Sequence, residues 1–151
     1  MANECNQNPI GGCSEAEGFN TTANGDASHA EGSNTIAGGV ASHAEGYLTS
    51  APANTAHAEG NNTTASGRAS HAEGEGNTAS GRASHVEGGG VDPLGNLAPT
   101  LASGNSAHAE GIGTTASGFA SHAEGGTSDV TAAPGPQATG DFAHAEGLST
   151  A

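Results

Sequence analysis

The chain has 151 residues, a formal charge of -14 and only two basic side chains, Arg68 and Arg82. Phosphate contacts need Lys and Arg, so this balance argues against nucleic acid and against an anionic membrane surface as partners. Hydrophobic residues make up 32%, most of them alanine, and no apolar run is long enough to insert in a membrane. A conventional core of Leu, Ile and Phe is excluded, and 26 glycines fall short of the one-third that a collagen helix needs.

Residues 1–13, "MANECNQNPIGGC", read as an N-terminal tail. They lack the basic and apolar regions of a Sec signal. Cys5 and Cys13 lie within this tail, either as free thiols or as disulfide candidates, between chains of an assembly in an oxidising location.

From Ser14 onward a five-residue motif recurs. It reads "SEAEG" at Ser14, "SHAEG" at Ser28, Ser42, Ser70 and Ser121, "AHAEG" at Ala56, Ala107 and Ala143, and "SHVEG" at Ser84. The period is 14 residues from Ser14 to Ser84, and two later steps lengthen to 23 and 22. A looser motif lies between these copies, seven residues before the next one, as "TTANG" at Thr21, "TTASG" at Thr63 and Thr114, and "TLASG" at Thr100. Each unit is two five-residue segments, each followed by a two-residue turn. Dense Gly, Thr, Ser and Asn disfavour helix, and the length fits short strands with glycine-marked turns. Two strands per coil, stacked at a fixed period, predict an all-β, narrow parallel solenoid over residues 14–151. Coils spaced roughly 4.8 Å apart would make a rod about 45–50 Å long.

The excess residues fall in turns and predict inserted loops at about 89–99 and 126–136. These carry the larger apolar residues and most of the prolines. Asp92 and Asp129 within them could touch a cation, although neither loop has a Ca²⁺ repeat pattern. "GEGNTASG" (Gly74 to Gly81) has suggestive glycine spacing but lacks a strand-turn-helix context, so it reads as repeat punctuation. Outward threonines in the "TTASG" copies suggest an ice-binding ladder only weakly, since the second Thr recurs irregularly. By register, Thr150 begins another strand and the chain stops in mid-strand, which predicts a longer repeat protein.

Strand alternation sends Ser, Ala and Gly of "SHAEG" to one face and His and Glu to the other. The column Ala30, Ala44, Ala58, Ala72, Val86, Ala109, Ala123 and Ala145 is the expected interior. Such an interior buries little apolar area at roughly 25 cal/mol per Å², set against the ordering cost of the backbone. Self-association is the expected remedy.

The 14-residue unit with "S-x-A-x-G" twice per turn resembles the head repeat of YadA-type trimeric adhesins. "SHAEG" arrays are also similar to those of phage appendage proteins and of spore and bacterial surface proteins. The resemblance covers nearly the whole chain after Cys13 and implies a left-handed parallel β-roll assembled as a parallel homotrimer. In that family the two variable strand residues are apolar and face neighbouring subunits. His and Glu stand there in this chain.

All eight histidines occupy the second motif position, each with Glu two residues later. The pairs are His29 and Glu31, His43 and Glu45, His57 and Glu59, His71 and Glu73, His85 and Glu87, His108 and Glu110, His122 and Glu124, and His144 and Glu146. One reading is structural, with hydrogen-bonded ladders at a subunit seam. The other is a row of metal or proton sites, since imidazole and carboxylate are both ligands. Equivalent copies argue against a catalytic zinc centre, which needs one irregular open position. No set of nucleophile, base and orienting group is visible and no cofactor motif is present. The resemblance implies a non-enzymatic structural rod at an extracellular surface, a spore surface or a virion appendage. Its partners would be copies of itself and a host-surface receptor or matrix.

Overall fold

The computed structural model describes residues 5–149. It is all-β among these residues, with two nine-stranded parallel sheets, each in strict chain order of its own strands. One sheet holds the "HAEG" segments, from Glu15–Phe19 and His29–Ser33 to His144–Ser149. The other holds two-residue strands, from Asn8–Pro9 and Thr22–Ala23 to Gln137–Ala138. The chain alternates between the sheets, which makes a β-solenoid. Among the described residues no helix is long and apolar enough to cross a membrane.

Register is fixed by the 14-residue period. His29 pairs with His43, Ala30 with Ala44 and Glu31 with Glu45, and the same holds coil after coil. The long steps do not break it, since His85 pairs with His108 and His122 with His144. Corners fall every seven residues, at a left-handed residue such as Asn20, Ala27, Asn34, Ala41 or Leu48. Asparagine tolerates that conformation and adds a side-chain ladder, with Asn6 donating to Asn20 at 2.8 Å and Asn20 to Asn34 at 2.7 Å.

The interior is as small as the sequence predicts. Ala30, Ala44, Ala58, Ala72, Val86, Ala109 and Ala123 are buried, and the terminal Ala145 is partly covered. Thr21, Ala23 and Ser28 complete the lining of their coil. Serine belongs inside because its hydroxyl donates to a carbonyl three residues back, as Ser28 does to Gly25 at 2.6 Å and Ser121 to Gly118 at 2.8 Å. The glycine of "HAEG" departs from strand alternation. Gly32 adopts φ near +105° and faces outward, because a residue in that conformation leaves the pleat.

A second glycine column sets the coil spacing. A Cβ on Gly25, Gly81 or Gly104 would overlap the carbonyl oxygen of the next coil, at Gly39, Gly104 and Gly118 respectively. Ala53 stands in this column, next to Pro52. At the corresponding corners two successive N–H groups donate to one alanine carbonyl, as Ser66 and Gly67 do to Ala79. Pro52 has no N–H to give, and Ala53 makes no such bond to Ala65. The ladder opens where a side chain enters the column.

The division drawn between residues 13 and 14 needs correction. Asn8–Pro9 pairs with Thr22–Ala23, and Asn20 N–H donates to the Cys5 carbonyl at 2.6 Å. Residues 5–13 therefore begin the first coil rather than a separate tail. Residues 1–4, and the expected strand start at Thr150, lie outside the described residues.

The inserted loops stack on one another at one edge. Asp92 is 3% exposed and accepts from Leu94 N–H, Asn96 N–H and Asn96 Nδ2, and from Val130 N–H of the second loop at 3.0 Å. Asn77 binds the first loop to the coil, donating to Glu73 and Gly88 carbonyls and accepting from Thr100 N–H at 2.8 Å. Two tests follow. Gly104→Ala should lower stability by roughly 1–3 kcal/mol, the cost of overpacking a tight site. Gly140→Ala, in the same column but against only an Ala143 methyl at 3.7 Å, should be nearly neutral in thermal melts. Asp92→Ala should open both loops to limited proteolysis while the far-ultraviolet spectrum of the roll stays unchanged.

Candidate functional site

The outward face of the "HAEG" sheet gathers every histidine of the chain into one row. Their side chains leave the same strand position in coils held in register, so the rings stack. Centroids of successive rings from His29 to His144 stand 4.7–5.0 Å apart, with interplanar angles of 2–9°. The spacing is the same across the inserted loops, at 4.8 Å for His85–His108 and 5.0 Å for His122–His144. Glu15 takes the place of an imidazole at the start of the row, paired with His29.

A glutamate row runs beside the imidazoles. Each histidine from His43 onward points Nε2 at the glutamate of the preceding coil. The approach is 3.8 Å for His43 to Glu31, 3.6 Å for His57 to Glu45 and 3.1 Å for His71 to Glu59. It is 4.0 Å for His85 to Glu73, 3.7 Å for His108 to Glu87, 3.9 Å for His122 to Glu110 and 3.3 Å for His144 to Glu124. His71 to Glu59 and His144 to Glu124 are short enough for hydrogen bonds. Nε2 of His29, His43, His57, His85, His108 and His122 is shielded from solvent and has no hydrogen-bond partner among the described residues. His108 and His144 also stand 3.9 Å from the glutamates of their own coils, Glu110 and Glu146.

Stacking raises an electrostatic problem. Two like charges about 4.8 Å apart repel by about 1 kcal/mol in bulk water, and by roughly four times that at an effective dielectric near 20. The row responds by keeping groups neutral. Burial, and then the neighbouring imidazoles, hold His43, His57 and His85 below the usual histidine range. A hydrogen bond with Glu31, then burial and a hydrogen bond with Glu59, push the Glu45 carboxyl up to about 7. Burial pushes Glu59 up, but hydrogen bonds from Glu45, Glu73 and His71 outweigh it and hold Glu59 low. Of this pair, Glu45 holds the proton and donates toward Glu59.

Outside the glutamates, the glycine column leaves a shallow open groove of about 550 Å³, lined by Glu73, Glu87, Glu110, Gly74, Gly88, Gly111 and Gly125. Its walls are carboxylates and its floor is bare backbone.

The remaining sequence candidates fall elsewhere. Cys5 is half-buried, Cys13 is exposed, and both are free thiols. Asp92 is no cation ligand. Burial favours its protonated form, but the donors from Asn96, Val130 and Leu94 hold its carboxyl down at about 2 and occupy its oxygens. Asp129 caps its own turn, accepting from Thr131. The outward column of the second sheet is broken by Ile36, Leu101 and Gln137, so no continuous threonine ladder exists. Sequence reasoning missed Asn77, whose signal was an Asn where most other copies have Thr. No family model matches the chain, and comparison with curated proteins finds no match.

The shifts carry a pH dependence. His43, His57 and His85 are neutral in the fold, so their contribution is intact above about 6.5 and lost as pH falls through their lowered values. Glu45 acts oppositely, with a contribution present below 4.5 and lost as pH rises through about 7. Glu45→Gln should therefore melt higher than the parent at pH 8 and equally at pH 4. The gain should be roughly 2–4 °C, or about 1 kcal/mol once solvent screening of a partly exposed carboxylate is allowed for. Calorimetry at the two pH values checks it.

Proposed function

We propose that the chain is a structural, non-enzymatic rod module, the shaft or head of a surface, spore or virion appendage. It assembles as a parallel homotrimer with the His–Glu face at the subunit seam, in the manner of the YadA-type head repeat that its motif resembles. The observation that carries this reading is the unbroken coil register, which holds across both inserted loops.

Three features support it. Among the described residues the buried hydrophobic side chains are alanines except for one valine, so a single roll gains little from burial and benefits from a partner. The shielded Nε2 atoms on the ladder face want partners that the described residues do not supply. The carboxylate-walled groove beside them offers room for a neighbouring surface. The inserted loops, with Val91, Leu94 and Leu97 exposed, are the parts such a rod would present to a host-surface receptor or matrix.

Light scattering at neutral pH tests the assembly. The expected mass is near three times 14.3 kDa. A folded species at the mass of one chain would overturn the seam and leave the ladder facing solvent.

A further inference from the structure

The His–Glu distances are too long for the interaction they would be expected to make. Of the seven contacts between a histidine and the preceding coil's glutamate, five fall at 3.6–4.0 Å, beyond hydrogen-bonding range. Nitrogen and oxygen ligands stand about 2.0–2.2 Å from a zinc ion, so two ligands of one ion lie about 3–4 Å apart. The ladder spacing is the spacing of a ligand set.

We propose that the ladder face holds divalent transition-metal sites, and that the strongest are those built from one imidazole and the two carboxylates that flank it. Glu31, His43 and Glu45 form one, and Glu73, His85 and Glu87 form another. In each set one ligand atom per residue lies within 4.8 Å of the others. Nε2 of His43 and of His85 is shielded and lacks a hydrogen bond, so a lone pair there has no competing partner among the described residues.

Ligand chemistry selects the ion. Calcium and magnesium want oxygen donors throughout, whereas a mixed imidazole and carboxylate set suits zinc and its first-row neighbours. Two stacked imidazoles are a poorer pair, because parallel rings send their lone pairs in the same direction. One imidazole between two carboxylates can close on an ion by carboxylate rotation alone. Neighbouring coils can share a carboxylate: Glu110 presents Oε2 to His108 and Oε1 to His122, both at 3.9 Å. Ions on adjacent coils repel, so sites that share no ligand, such as those at His43 and His85, fill first. The inference does not rest on the trimer, since every ligand comes from one chain.

The test uses the full chain with Cys5→Ser and Cys13→Ser, so that thiols take no metal. The metal-free protein is titrated with zinc chloride by calorimetry in about 100-fold excess calcium. The expected result is more than one zinc per chain, with X-ray absorption showing imidazole nitrogen and carboxylate oxygen at about 2.0–2.2 Å. His43→Gln with His85→Gln should lose two ions per chain or bind them at least tenfold more weakly. Glu45→Gln with Glu73→Gln, which leaves the imidazole stack intact, should weaken binding similarly. No uptake at micromolar zinc, displacement by calcium, or binding unaltered in both double variants would overturn the proposal. The solution mass, read separately, shows whether the trimer stands or falls with it.

Discussion

The contact between a glycine of one coil and a carbonyl of the next governs this molecule. Gly25, Gly81 and Gly104 admit the neighbouring backbone so closely that any side chain would overlap it. This closeness lets a coil of only 14 residues hold two hydrogen-bonded strands and two corners around an alanine-sized interior. Pro52 and Ala53 illustrate the constraint from the other side, since the ladder loses two bonds where the column is filled. Extra residues are accommodated only where they leave the stack, at the edge, with Asp92 and Asn77 binding the loops down.

A strict register turns one residue into a row. A histidine at one motif position becomes a stack of parallel rings, and a glutamate two residues on becomes a carboxylate column. Groups so arranged cannot titrate independently, because each charge raises the cost of the next. Burial, and then the neighbouring rings, lower His43, His57 and His85, and a hydrogen bond with Glu31 followed by burial raises Glu45. An assembly seam and a metal array draw on this one property, a dense line of underused donors and acceptors on a rigid support.

Most of this architecture was legible in the sequence because the repeat imposes it. The interior column from Ala30 to Ala123, the strand pairs and the loop positions follow from period and alternation alone. What was not legible depends on conformation rather than spacing. Gly32 faces outward because its positive φ breaks the pleat. The histidines reach back to the preceding coil's glutamate rather than forward, which is a matter of side-chain direction. Asp92 meets Val130 across 38 residues because two unrelated loops share an edge, and nothing local announces that contact. Residues 5–13 lack the motif yet pair with the first coil, since parallel pairing of Asn8–Pro9 uses backbone groups and needs no particular side chain.

The central claim is that the ladder is one coupled system held by coil register. Nitrogen-15 magnetic resonance of the imidazoles across pH 4 to 9 tests it most directly. The account predicts that His43, His57 and His85 titrate below the usual 6.5, over a span broader than a single proton would give. Sharp and independent titrations of these three at or above 6.5 would contradict it.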